Sequence, residues 1–319
     1  MLEHILIPLD GSSLAERVLP HAVSLTHAFG STLTLLRVVF QDEDLNCSGF
    51  VNPMDWQMRK TEAESYLNAI QKRLQEVGIS CKVKIIEGKP AQQIVDFADQ
   101  QDVHLIIMAS HGSSGISEWN INSTVQKVLL RAKMPIMIIR SYQDTQDVLD
   151  GLTYSRILVP LDGSKRAECT LPLAESISIN QNATVFLSHI VEVPHLPSHT
   201  PLSEEEKQVV ERLNSINEQE SRKYLEALQN RLNIEKIETI IKRSEKTTFT
   251  LHKIVEREQI DLVLLSAHGA SGDNCWPYGK ITLNFIVFGT KPLIIIQDLS
   301  KDEFGKSLAE LYAEQSKGH

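Results

Sequence analysis

The chain has 319 residues, 42% hydrophobic and 23% charged, with 32 basic and 41 acidic side chains and a net charge of −9. That length suffices for two domains with separate cores, and the composition is that of a soluble globular protein. An acidic chain without a basic run lacks the footprint of a nucleic-acid binder, and no apolar run approaches the ~20 residues of a membrane span.

The N-terminus leads directly into ILIPLD, without the charged and apolar regions of a signal peptide, so a cytoplasmic location is expected. ILIPL (5–9) is a buried strand closed by Asp-Gly. Leu14, Val18, Leu19, Ala22 and Leu25 follow at helical spacing over Ser13–Ala28, with Ser12 or Ser13 as N-cap and Gly30 as the stop. TLTLLRVV (32–39) is a second strand, 40–53 a loop, and Met54–Val77 a long helix ended by Gly78. CKVKIIEG (81–88) is a strand, and Pro90 opens the helix AQQIVDFADQQ. HLIIMAS (104–110) is the fourth strand. A glycine-serine loop leads to a helix near Ser123–Arg131, and IMIIR (136–140) is the fifth strand.

The second half repeats this order: RILVPL, a helix over 165–178, TVFLSHIVEV (184–193), a loop with three prolines, and a long helix over Glu204–Leu232. KIETIIKR, TLHKIVERE, DLVLLSA, a loop, ITLNFIVF and PLIII complete it. Matched segments carry the duplication: HILIPLDGS (4–12) with RILVPLDGS (156–164), LIIMASHGSSG (105–115) with LVLLSAHGASG (262–272), and PIMII (135–139) with PLIII (292–296). Strands alternating with helices predict an α/β fold: two tandem doubly wound domains, each with a five-stranded parallel sheet. The expected boundaries are 1–141, a polar linker 142–154, 155–298, and a charged tail 299–319 whose EFGKSLAELYAEQ has amphipathic helical spacing.

Ligands of such sheets sit beyond the carboxyl ends of the strands, where strand order switches. Asp10 and Asp162 follow the first strand of each half. Gly112 and Gly115, with Gly269 and Gly272, follow the fourth strand and precede a helix. A glycine-bearing turn at a helix start offers backbone N–H groups to phosphate. A carboxylate after the first strand suits a ribose or base edge instead. A nucleotide across the top of the sheet is one reading. Tight turns needing positive φ, with Asp10 and Asp162 capping the next helix, is the other.

Each half resembles a universal stress protein domain. The carrying residues are ILIPLDGS, LLRVV, ASHGSSG, NSTVQKVL and MPIMII in the first half, and ILVPLDGS, FLSHIVEV, SAHGASG, GKI and KPLIII in the second. The resemblance implies a Rossmann-like fold of the adenine nucleotide alpha hydrolase-like type. It further implies pairing of PIMII with PLIII as an intramolecular pseudo-dimer, and a stress-response role. ATP-binding members of the family follow Gly-x2-Gly-x9-Gly-Ser/Thr. In the first half that pattern falls on Ala109, Gly112, Asn122 and Ser123, followed by Thr124. In the second half it falls on Ser266, Gly269, Gly279 and Lys280. The adenine-side positions implied are Pro8, Asp10, Val38 and Met108, and Pro160, Asp162, Ile190 and Leu265.

Ala109 and Ser266 are small replacements, and Asn122 is the non-glycine residue most at ease with positive φ. Lys280 replaces a hydroxyl with a charge. Glu118 and Asp273 bring negative charge to the loops, while Trp119, Trp276 and Pro277 suggest loop packing that fills the pocket. The hydroxyls of Ser123 and Thr124 favour the first half, and the two retained glycines favour the second.

Other signals point nowhere specific. His189, His195 and His199 lack helical ligand spacing, so no metal cofactor is expected. His111 and His268 recur beside the glycines, to touch a ligand or to hold the loop. The four cysteines are scattered and read as reduced thiols. No Ser-His-Asp order, G-x-S-x-G elbow or P-loop is present. The expectation is thus a non-enzymatic cytoplasmic regulator, with any ATP hydrolysis slow and incidental. It binds ATP or another adenine nucleotide in at least one half, and has a protein partner or homo-oligomer but no nucleic acid or membrane partner. The alternative is a protein-interaction module with two remnant sites.

Overall fold

The computed structural model describes residues 2–39, 53–111, 121–140, 148–193, 203–270 and 278–298. The chain divides into two compact units, Met1–Thr153 and Tyr154–His319. The first contains β1 (His4–Pro8), α1 (Ser13–Glu16), α2 (Leu19–Phe29), β2 (Thr32–Val39), α3 (Pro53–Glu76), β3 (Cys81–Glu87), α4 (Pro90–Gln100), β4 (Leu105–Ala109), α5 (Ser123–Leu129) and β5 (Ile136–Ile139). The second contains β6 (Arg156–Pro160), α6 (Lys165–Glu168), α7 (Leu171–Gln181), β7 (Thr184–Glu192), α8 (Glu204–Arg231), β8 (Ile237–Ser244), α9 (Thr247–Arg257), β9 (Leu262–Ser266), α10 (Lys280–Phe288) and β10 (Leu293–Ile296).

In the first unit the strands lie in the order β3-β2-β1-β4-β5, and in the second β8-β7-β6-β9-β10. Every neighbouring pair within a unit is parallel. The first strand of each unit is therefore central, flanked by the second and the fourth, and the order reverses there. A crevice opens at such a reversal, beyond the carboxyl ends of the strands.

Burial explains why the strands read as apolar runs. Ile5, Leu6 and Ile7 on β1 and Ile157, Leu158 and Val159 on β6 have no exposed surface. All five positions of β4 and of β9 are buried, as expected of strands covered on both faces. β3 and β8, at the end of each order, show exposed positions instead. Each fully buried Leu or Ile stabilises the fold by about 1.5–3 kcal/mol.

The helix expected over Ser13–Ala28 is two helices, α1 and α2, and α6 and α7 divide at the matched place. Pro20 and Pro172 stand in the first turn of α2 and α7. Proline has no N–H for the carbonyl four residues back, and its ring clashes with that carbonyl, so one continuous helix cannot form. Both second helices end in the left-handed region, Gly30 at φ 64° and Asn182 at φ 55°. The long α8 begins with a reciprocal cap. Ser203 Oγ accepts the Glu206 N–H at 3.2 Å, and the Ser203 N–H donates to Glu206 Oε2 at 2.8 Å.

Candidate functional site

In the first unit the site starts where β1 ends. The Leu9 N–H donates to Leu36 O at 2.8 Å, keeping the chain beside β2 for one residue more. Gly11 then turns at φ 83°. Asp10 Oδ1 accepts the Ser12 N–H at 3.0 Å and the Ser12 hydroxyl at 2.6 Å, while Ser12 Oγ accepts the Ala15 N–H at 3.1 Å. Ser12 is thus the N-cap of α1, and Asp10 holds the cap rather than capping the helix itself.

The second unit builds the same turn with Asp162, Gly163 at φ 85°, Ser164 and Ala167, at the same distances. Here the other carboxylate oxygen has a further partner: Asp162 Oδ2 accepts the Ala270 N–H at 2.6 Å. A Cβ built on Gly269 would overlap that oxygen. Gly269 is glycine because the carboxylate occupies the space of its side chain; its φ is not positive.

The residue beside each Asp differs between the units. In the first it is Arg37, whose Nη1 donates to Leu9 O at 3.3 Å and lies 3.1 Å from where a Gly11 Cβ would stand. Burial lowers the pKa of Arg37, and Asp10 and Tyr66 pull it back up. In the second unit the place is held by His189. Burial pushes its pKa down, and Asp162 and the Leu161 backbone offset this in part. The cation beside Asp10 is therefore permanent, whereas the imidazole beside Asp162 favours the neutral form.

A tyrosine and an ion pair stand behind each of these residues. Arg73 Nη1 lies 2.6 Å from Glu16 Oε2, and Arg231 Nη2 lies 2.6 Å from Glu168 Oε2. The Tyr224 hydroxyl donates to Glu168 Oε1 at 3.1 Å, and its ring meets His189 edge-on at 6.3 Å. Burial, then the neighbouring glutamate, pushes the phenols of Tyr66 and Tyr224 well above the usual tyrosine range. These residues escape a motif search. The signal that would find them is the repeat: Tyr66 and Arg73 stand seven residues apart, as do Tyr224 and Arg231.

Beyond the fourth strand the second unit is described up to Ala270. Ser266 Oγ donates to His268 O at 2.6 Å, and Thr282 Oγ1 donates to Ser266 O at 2.7 Å. The His268 N–H donates to Asp298 Oδ1 at 3.1 Å, with His268 Nδ1 2.8 Å from the same oxygen. Asp298, with its side chain 1% exposed, also faces Arg166 at 3.5 Å. His268 thus holds the loop. In the first unit buried His111 has Nδ1 3.0 Å from Ser110 Oγ.

The third motif glycine was expected to need positive φ, and the structure corrects this. Asn122 lies at φ −49° and Gly279 at φ −62°, each as the N-cap of the following helix. Asn122 Oδ1 accepts the Thr124 N–H at 2.8 Å. Gly279 leaves α10 without a side-chain cap or an acidic residue in its first turn. Exposed Lys280 is the first residue of α10, where the helix dipole disfavours a cation unless an anion is near.

The topology brings most of the expected residues together at one end of each sheet. Pro8 and Pro160 end the central strands. Val38 and Ile190 lie on the second strands and are partly exposed, unlike a fully buried core residue. Met108, Ala109, Leu265 and Ser266 end the fourth strands and are buried, so Met108 and Leu265 serve the core first. Ser123 is exposed at the start of α5, and Thr124 is half-buried. Gly112, Gly115, Glu118, Trp119, Gly272, Asp273, Trp276 and Pro277 lie outside the described residues, as do His195 and His199. Among the described residues Cys81 and Cys169 are free thiols. No group of three or more His, Cys, Asp or Glu there is arranged to hold a metal, and no helix is long and apolar enough to cross a membrane.

Comparisons with known proteins agree with this fold. The chain is 28% identical over 156 residues to universal stress protein MJ0577 of Methanocaldococcus jannaschii, covering 44% of this chain and 96% of that protein. It is 26% identical over 147 residues to MJ0531 of the same organism, covering 44% and 83%. Among solved structures, a universal stress protein from Archaeoglobus fulgidus matches 94% of this chain and 100% of its own at a TM-score of 0.69 and 17% identity. A functionally unknown protein from Pseudomonas aeruginosa matches 99% and 98% at 0.66 and 14%. At such identities the likeness concerns the fold alone. The family model for the universal stress protein family matches residues 1–140 and again 153–296. With both halves matched in the same order as the duplicated turns and strands, the chain belongs to the universal stress protein family, carrying its domain twice in tandem.

Proposed function

We propose that this tandem protein is a cytoplasmic stress-response regulator, without catalytic activity of its own, that binds ATP or another adenine nucleotide in at least one half. The supporting observation is the position of Val38 and Ile190. Each is a partly exposed apolar side chain on the strand paired with the central strand of its sheet, which ends in a turn whose Asp accepts hydrogen bonds. An apolar wall beside a carboxylate suits a base and a ribose, and the uncapped start of α10 with Lys280 suits phosphate. In this reading Asp10 and Asp162 take the ribose or base edge. Pro8 and Pro160 border the base with Val38 and Ile190. Ala109, Asn122, Ser123 and Thr124, and Ser266, Gly279 and Lys280, stand on the side of the phosphates.

Calorimetric titration of the full chain with ATP and ADP tests this, with Val38→Asp and Ile190→Asp alongside. Binding is expected in the wild type, with a loss of about 2 kcal/mol in affinity when a carboxylate replaces the apolar wall of the half that binds. No heat at millimolar nucleotide rejects the reading. Binding untouched by either substitution places the ligand elsewhere.

A second reading, a protein-interaction module, is favoured by α8. Val209, Leu213 and Ile216 recur there at helical spacing and are each about half exposed.

A further inference from the structure

Two amide donors of the second unit beyond its fourth strand are already used, and the chain's own carboxylates use them. The His268 N–H points at Asp298 Oδ1 and the Ala270 N–H at Asp162 Oδ2. We propose that Asp162 sets the ligand selectivity of the second unit as an internal anion, keeping phosphate off the Ala270 N–H and favouring a neutral nucleoside over its phosphorylated form.

Three observations carry this. The contact is close, at 2.6 Å, and the carboxylate lies where a Gly269 side chain would be, so the backbone at Gly269 and Ala270 is fitted to it. Asp162 is tethered from the other side as well, since its Oδ1 holds both donors of Ser164. Its neighbour on β7 is His189 in place of the arginine that the first unit sets beside Asp10, and burial favours the neutral imidazole. A phosphate reaching for the Ala270 N–H would meet an ionised carboxylate at contact distance, where like charges repel strongly. A hydroxyl-bearing nucleoside would instead donate to that carboxylate and leave the Ala270 bond in place. The residue expected to receive the ribose is thus also the residue that excludes the phosphates, which deepens the nucleotide reading above and rests on it for the nature of the ligand.

Full-length wild type, Asp162→Asn and His189→Arg would be titrated with tripolyphosphate, ATP and adenosine. Asparagine keeps an acceptor for Ser164 but removes the charge; arginine keeps the carboxylate but gives it a permanent cation. Asp162→Asn is expected to raise tripolyphosphate affinity by about tenfold, as the loss of one competing charged hydrogen bond implies, and His189→Arg to raise it by a smaller factor, through the added cation alone. Adenosine affinity should not rise in either variant. Hydrogen exchange at the Ala270 amide should quicken several-fold in Asp162→Asn. Unchanged tripolyphosphate affinity in both variants overturns the proposal, and so does unchanged exchange at Ala270. Loss of adenosine and ATP binding in Asp162→Asn with no gain in tripolyphosphate would make Asp162 an ordinary ligand residue, which also overturns it. A gain in tripolyphosphate with no binding of ATP or adenosine to any form supports the internal anion and rejects the nucleotide reading instead.

Discussion

The cap residue differs between the helix starts that close the two sites. Asn122 caps α5 with its own side chain, and Gly279 leaves α10 uncapped. Asn122→Ala should therefore cost the first unit about 1 kcal/mol, the usual value of a lost cap, while Asn122→Gly should cost only a few tenths. Denaturant unfolding of the three proteins checks the order. Asn122 also shows how a sequence argument can be right about a residue and wrong about its reason. Asparagine suits the site because it caps a helix at negative φ; tolerance of positive φ plays no part.

At the scale of elements, α2 carries a sensitivity to acid that its counterpart lacks. Its residue His21 is 4% exposed, and burial pushes its pKa down from 6.5 to about 4. The unfolded chain therefore takes up a proton that the folded one refuses. Stability is fully present above about pH 6.5 and is lost as pH falls towards about 4, by as much as about 3 kcal/mol. On α7 the matched position holds Leu173, also buried. His21→Leu should abolish this part of the pH dependence. Urea unfolding at several pH values between 4 and 7 would show a flattened slope, and a slope equal to that of wild type would refute the assignment. The same pair of helices marks a limit of periodicity. Leu14, Val18, Leu19 and Ala22 keep helical spacing across a break, because a proline interrupts the hydrogen bonds without disturbing which face is apolar.

For the molecule as a whole, the fold was legible because the pattern was written twice. Strand runs such as ILIPL and LIIMA, the Asp-Gly turns and the long helices over α3 and α8 recur in order, and the parallel topology follows from their alternation. The site was legible only in part. Asp10 and Asp162 fall at the switch point because topology brings strand ends together, and sequence order reveals topology; Val38 and Ile190 came only with the family resemblance. The bond from Ala270 to Asp162, the one from His268 to Asp298 and the Arg37–His189 exchange beside the carboxylates were not legible. Each depends on which way a side chain or an amide points, and local pattern carries no information about direction across a cleft. Reading the halves against each other residue by residue would have exposed the Arg37–His189 exchange, since each unit is a reference for the other.

The cap on α5 has an evolutionary consequence. The Thr124 N–H that Asn122 takes is a donor that a ligand can no longer have. At a position that glycine could also fill, asparagine thus exchanges a free amide for a few tenths of a kcal/mol of folding stability. A duplicated chain is well placed to follow that route, since one copy can drift towards rigidity while the other retains an open helix start.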